Sequence, residues 1–366
     1  MKKRILFITP YPFNSAGSQR FRFEQFLPIL KSNNYNYKQV PFIDNATWKI
    51  MYLPGNSFKK LWGIIKGIFR RIYCLTIAPF YNIIFIHRES APIGPPIVEW
   101  ILSKAYRKKY IYDFDDAIWL QDISEVNKGF VQSLKSSPNK IAKIISYAGH
   151  VSAGNEYLSN YSKKYNSNVT IVPTIVDTDH HKRSSNYEKL HADKLCIGWT
   201  GTHTTLKHFE SIVPTLKKLY SEYKNDIYFK LIVNVKADYP DLELTSTLWN
   251  KESEISQLSE LDIGIMPLPD NKWANGKCGF KAIQYMALGI PCVASDVGVN
   301  NKIIDNSING ILINSNDEFY TALSSLINDR NKRITLGIAA REKIENSYSK
   351  NAIKKIFLSI LNQVAN

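Results

Sequence analysis

The chain has 366 residues, 44% hydrophobic and 12% aromatic, which is too many for one ordinary core, suits two, and excludes an intrinsically disordered chain. A formal charge of +15, from 47 Lys and Arg against 32 Asp and Glu, either favours anionic partners or reflects a Lys- and Asn-rich composition, and no nucleic-acid-binding signature accompanies it, so no specific nucleic acid is expected. Cys74, Cys196, Cys278 and Cys292 are widely spaced without a CxxC pair, which argues against a disulfide framework or a zinc site and fits a reducing cytoplasm.

The N-terminal run Ile5–Ile8 after Met-Lys-Lys-Arg is too short for a signal-peptide core and reads as a first buried strand. Strands are expected at Arg4–Thr9, Tyr37–Phe42, Tyr81–His87, Lys109–Phe114, His150–Ala153 and Val169–Pro173. These are near-continuous apolar runs, the signature of parallel strands covered on both faces. Helices are expected between them at Ser18–Lys31, Ser57–Ile77, Pro95–Arg107, Asn139–Ala148 and Glu156–Tyr165. The alternation predicts an open, doubly wound α/β sheet, whose ligands sit beyond the carboxyl ends of its strands.

Polar residues stand at those ends. After the first strand come Arg20 and Arg22, whose forked donors suit a phosphate. They are two apart and cannot share a helix face, so one of the two is expected at a site. The third strand ends in His87-Arg88-Glu89 and the fourth in Asp113-Phe114-Asp115-Asp116. Asp115 and Asp116 read either as site residues or as N-caps of a following helix. Residues 57–80 form a basic amphipathic segment with Trp62, Phe69 and Tyr73, which fits either an anionic membrane surface or a sheet. No run of 18 uncharged apolar residues occurs, so no membrane span is expected.

A polar stretch, Asp177–Asp193, has linker composition, after which the pattern restarts. Strands are expected at Leu195–Trp199, Tyr228–Val235, Asp262–Pro267, Pro291–Ser295 and Gly310–Ile313. Helices are expected at Thr205–Tyr223, Glu252–Leu258, Phe280–Leu288, Asn300–Asp305 and Asp317–Asn328, with a helical tail over 330–364. The boundaries predicted are 1–180, 181–349 and a final helix over 350–366 that returns to the N-terminal domain.

Within 262–298, Gly276-Lys277-Cys278-Gly279-Phe280-Lys281 leads into the helix that carries Gln284. A glycine-containing loop at a helix start offers backbone N–H groups to a phosphate. Cations are disfavoured there by the helix dipole, so Lys277 and Lys281 imply a bound anion. The segment resembles the donor-binding segment of the family-4-like (group 1) glycosyltransferases, whose pattern is Glu-Gly-Phe-Gly-x4-Glu-Ala-Met-Ala-x-Gly-x-Pro-Val-Val-Ala-Ser. Met286, Ala287, Gly289, Pro291, Val293, Ala294, Ser295 and Gly298 match it, while the two glutamates fall on Gly276 and Gln284. The Lys-Cys-Gly-Phe-Lys-x-x-Gln form looks like a subgroup of these enzymes.

The resemblance implies GT-B architecture, two Rossmann-like domains facing across a cleft, and a retaining, metal-independent transferase without a cofactor. Its donor is a nucleotide-diphosphate sugar, and its acceptor a glycan or polyprenyl-diphosphate lipid of bacterial surface polysaccharide synthesis. Work at the inner face of the cytoplasmic membrane, through residues 57–80, would suit such an acceptor. Lys277, Cys278, Gly279, Phe280 and Lys281 are expected at the diphosphate and Gln284 at the ribose. The basic pair that the family carries after the first strand of its second domain is missing from Gly198–Thr205, so Gly201, Thr202 and nearby hydroxyls are expected to contact phosphate instead. Gly17, in the loop that the family places near donor and acceptor, joins Arg20, Arg22, Arg88 and Glu89 as expected acceptor or phosphate residues. His87, Asp115 and Asp116 are the catalytic candidates. The Asp-x-Asp spacing resembles the metal motif of the GT-A fold, but one nucleotide-binding domain would leave the second βα series unexplained. A non-catalytic sugar-nucleotide binder and a sugar-nucleotide epimerase are the alternatives.

Overall fold

A computed structural model describes residues 2–51, 53–120, 139–183 and 194–365. The chain divides into two compact units, Met1–Thr174 with Ile353–Asn366, and Ile175–Ala352. Residues 184–193 of the polar stretch lie outside the described residues.

The first unit holds six parallel strands: β1 (Lys3–Thr9), β2 (Tyr35–Pro41), β3 (Ile83–His87), β4 (Tyr110–Phe114), β5 (His150–Ala153) and β6 (Val169–Ile171). They lie in the order β2-β1-β3-β4-β5-β6. Ile5 to Ile8 of β1 are wholly buried, as a two-faced parallel strand requires. The strand order reverses between β1 and β3, and the carboxyl ends of strands at such a reversal are where open α/β sheets bind ligands. The last helix, Lys350–Ala365, contributes to this core. Its Phe357 stacks on Phe26 with centroids 4.2 Å apart, and Asn362 accepts a 2.7 Å hydrogen bond from Tyr35.

The second unit repeats the plan with β7 (Leu195–Thr200), β8 (Ile227–Val233), β9 (Leu244–Leu248), β10 (Ile263–Met266), β11 (Cys292–Ser295) and β12 (Ile311–Ile313). The order is β12-β11-β10-β7-β8-β9, all parallel, with the reversal between β7 and β10. Trp199, Phe209, Leu216, Phe229 and Leu323 fill its core.

Three helices differ from the sequence expectation. Ser18–Lys31 is broken into Gly17–Arg20, a 3-10 turn Phe23–Phe26, and Leu27–Ser32, because Arg22 leaves helical geometry (φ −119°, ψ −115°). Thr205–Tyr223 is likewise split, with Pro214 opening the Val213–Tyr223 helix. Pro95–Arg107 is helical from Ile97 and ends in a π turn, Ile101–Ala105. Strand β9 was not expected. It is a half-exposed edge strand, Leu-Thr-Ser-Thr-Leu, with little apolar signal.

Candidate functional site

In the second unit the loops after β7 and β10 border the reversal in strand order. Gly198 and Gly264 are register partners on these two strands. A Cβ on Gly264 would lie 2.4 Å from the Tyr285 ring, so the bare backbone admits this side chain from the Phe280–Ala287 helix. The Tyr285 hydroxyl accepts from the Thr200 N–H at 2.9 Å, tying that helix to the end of β7. Its start is fixed by Gly279 at φ +67°, where a Cβ would come 2.1 Å from Ile303.

Ahead of Gly279, the short helix Lys272–Asn275 is capped by Asn271, whose side chain accepts from the Ala274 N–H at 2.9 Å. This turn presents Trp273 and then Lys277. The Lys277 ammonium lies 3.6 Å from the centre of the Trp273 ring, and Lys207 lies 5.9 Å from the same ring. Lys281 lies 5.4 Å from the Trp199 ring. Buried His208 packs on Trp273, centroids 5.7 Å apart. Its pKa falls from 6.5 to about 4, first through burial and then through Lys281, Lys207 and Lys277. Three lysines therefore share one field around a neutral imidazole. Gln284 and Asn300 are each 1% exposed, and Gln284 Nε2 and Asn300 Oδ1 have no hydrogen-bond partner among the described residues. Buried, unspent amide groups are costly unless a ligand or water completes them.

The Gly201 loop differs from its expected part. Its N–H donates to Ile232 O at 3.0 Å, and the Thr200 hydroxyl donates to the same carbonyl at 3.1 Å, so the sheet consumes both groups. Gly201 serves by its missing side chain, since a Cβ would lie 2.2 Å from the Trp199 ring. Thr202 is exposed, its hydroxyl 2.9 Å from that of Thr204. Cys278 is buried and Phe280 half-buried.

In the first unit the ends of β3 and β4 carry a buried ionic network. Asp113 accepts from Arg22 Nε at 3.3 Å and from Ser152 Oγ at 2.6 Å, pairs with the Arg22 terminal nitrogen, and lies 2.8 Å from His87 Nδ1. Arg22 also donates to Val172 O. Burial pushes the Asp113 carboxyl up, but Arg22 and His87 outweigh it and hold the group below the usual carboxylate range. Arg22 is 2% exposed and committed to this network, which corrects the expectation of a phosphate-binding donor: here it positions Asp113. His87 is fully buried, and its Nε2 has no partner among the described residues.

Beside this network Arg88 adopts a left-handed conformation (φ 57°), and its N–H donates to Asp113 O at 2.7 Å. Its guanidinium bonds Asp115 Oδ1 at 2.9 Å and lies 3.8 Å from Asp116 Oδ2. Burial would raise the Asp115 carboxyl, yet Arg88, His87 and Arg22 lower it. Glu89 pairs with Lys140 at 3.0 Å. Arg20 is half-buried, its guanidinium 4.9 Å from the Phe21 ring, and Gly17 is exposed at the start of its short helix. No helix follows Asp116 directly among the described residues: the chain turns through Ala117–Leu120, and residues 121–138 lie outside the described residues. The structure thus gathers His87, Arg88, Asp115 and Asp116 at one sheet edge of the first unit, and Lys277, Gly279 and Lys281 at the start of a helix in the second, with Gln284 one turn further along it. Lys207, His208, Trp273 and Asn300 went unread in the sequence. Only Lys207 and His208 carried a signal, as polar residues shortly after β7.

Residues 230–329 match the family described as Glycosyl transferases group 1. Comparison with curated proteins gives no match. Among solved structures, sucrose-phosphate synthase from Thermosynechococcus elongatus is similar at 13% identity and TM-score 0.70, over 99% of each chain. A glycosyltransferase from Rickettsia africae is similar at 15% identity and TM-score 0.71, over 99% of this chain and 98% of that one. Anabaena HepE, solved with UDP and glucose, is similar at 14% identity and TM-score 0.71, over 98% of this chain and 99% of that one. The architecture is that of the GT-B glycosyltransferases, with a group 1 glycosyltransferase match across the part of the second unit that holds Trp273, Lys277 and Lys281.

Proposed function

We propose that the protein is a retaining glycosyltransferase that takes a sugar from a nucleotide-diphosphate donor and passes it to a glycan or polyprenyl-diphosphate-linked acceptor in bacterial surface polysaccharide synthesis. The observation that carries this reading is the convergence of Lys207, Lys277 and Lys281 on Trp273 and His208 at the start of the Phe280–Ala287 helix. Such a field suits the two negative phosphates of a donor, and a helix start adds N–H groups of the same sign. The lysines take the part played in relatives by the basic pair that this chain lacks. Gln284 Nε2 and Asn300 Oδ1, each without a partner among the described residues, offer one donor and one acceptor to the nucleoside. That HepE was solved with UDP and glucose supports a nucleotide sugar as donor.

Chemically, the bond from the anomeric carbon to the diphosphate breaks as the acceptor oxygen attacks the same face. The acceptor proton passes to the departing diphosphate oxygen. Negative charge grows on the diphosphate, and Lys277 and Lys281 stabilise it without a metal. His87, held by Asp113, and Asp115, held by Arg88, orient hydroxyl groups. A second reading, a donor-binding protein without transfer activity, is favoured by one feature: Gly276 stands where the family has its first glutamate. Incubation with a panel of nucleotide sugars, in EDTA, separates the two. Release of nucleoside diphosphate, with the product anomer unchanged by NMR, is expected of the transferase. Donor binding without turnover on any acceptor would establish the binder.

A further inference from the structure

The Ser57–Ile77 helix is built inside out for a soluble protein. Its inward face is Gly63, Gly67, Arg71 and Cys74, all buried. A Cβ on Gly63 would lie 2.3 Å from Thr47, and one on Gly67 2.8 Å from the Phe42 carbonyl oxygen, so nothing larger fits inside. Arg71 locks the rotation: it donates to Val40 O at 2.9 Å and Thr9 O at 2.6 Å, at the ends of β2 and β1, and also to Ser90 O. The large apolar residues are thereby forced outward. Phe58 is 82% exposed, Leu61 55%, Trp62 52%, Phe69 65% and Ile72 53%. At 3.6 residues per turn they form one stripe opposite the glycines. Soluble monomers rarely expose so continuous an apolar face.

We propose that this face is a docking surface for an anionic lipid bilayer, with the helix lying in the plane of the headgroups. Charge complementarity selects the occupant. Exposed Lys59 and Lys66 border one side of the stripe, and the whole chain carries +15. This arrangement suits an acidic lipid surface, and it sets like charge against like in a second copy of the chain. No helix among the described residues is long and apolar enough to cross a membrane, so the contact is a surface one.

The test is co-sedimentation of the full chain with phosphatidylcholine vesicles, with and without phosphatidylglycerol. Binding is expected only where phosphatidylglycerol is present, and to weaken as salt rises. The charge-neutral double variant Trp62→Ser, Phe69→Ser should lose at least about tenfold in vesicle affinity while keeping its thermal unfolding. Lys59→Gln with Lys66→Gln should lose about fivefold per charge. The proposal is overturned if the intact chain ignores anionic vesicles or if the Trp62→Ser, Phe69→Ser variant binds as tightly. It is overturned equally if light scattering shows a dimer that this variant dissociates. Vesicle binding reads no nucleotide, so its failure and failure of the donor reading are separable.

Discussion

His208 stands where burial and three ammonium groups all oppose a proton, and its pKa falls from 6.5 to about 4. Within that window the unfolded chain takes up a proton that the folded chain refuses. The folded state therefore loses stability as pH falls through the window, and the His208 contribution is complete above it. An anion seated among the lysines reverses part of this field. NMR titration of the His208 ring should show the low pKa in the free protein and a rise on adding a nucleoside diphosphate; an unmoved value would place the anion elsewhere. Asp113 is the complementary case in the first unit, a buried carboxylate facing Arg22 and His87. Asp113→Ala leaves a buried guanidinium uncompensated, and urea unfolding should show a loss of about 3–5 kcal/mol. Residue types at strand ends were readable from the sequence, but partnerships were not: Arg22 meets Asp113 across 91 positions. Arg22 therefore read as a donor suited to a phosphate, and Trp273 and Asn300 gave no local sign of their company.

Elements were legible where their hydrophobic period was long or unbroken. The Ser57–Ile77 helix has the bounds expected from its amphipathic run, as does β5. What period alone left open was which face turns inward, because the inner side is marked by small residues and one arginine. This predicts an inverted pattern of mutational cost. Gly67→Val, pressed on the Phe42 carbonyl, should cost about 1–3 kcal/mol. Phe69→Ser, at an exposed position, should change stability by no more than about 0.5 kcal/mol. Urea melts of the two variants measure the contrast, and equal costs would show that the stripe is packed. Short elements such as Asn45–Met51 and Lys272–Asn275 escaped notice, being less than or about two turns long and set by capping and tertiary contacts. Helix breaks at Arg22 and Pro214 arise from backbone geometry that a polar–apolar pattern does not encode.

At the scale of the whole molecule, repeated βα alternation led to two parallel sheets, because apolar strands joined by helices have few other ways to be covered. Each sheet reverses its strand order once, and candidate residues of each unit stand beyond that reversal. The fold thus directs attention to strand ends, while the lysines after β7 and β10 carry the proposed chemistry. Isothermal titration calorimetry with UDP, GDP and ADP, on the wild-type chain and on Lys277→Ala with Lys281→Ala, tests that assignment most directly. One nucleoside diphosphate should bind the wild type, and the double variant should bind it at least about tenfold more weakly, since charged hydrogen bonds contribute roughly 1.5–3 kcal/mol each. Equal affinity in the two proteins, or no binding of any diphosphate to the wild type, would contradict the account.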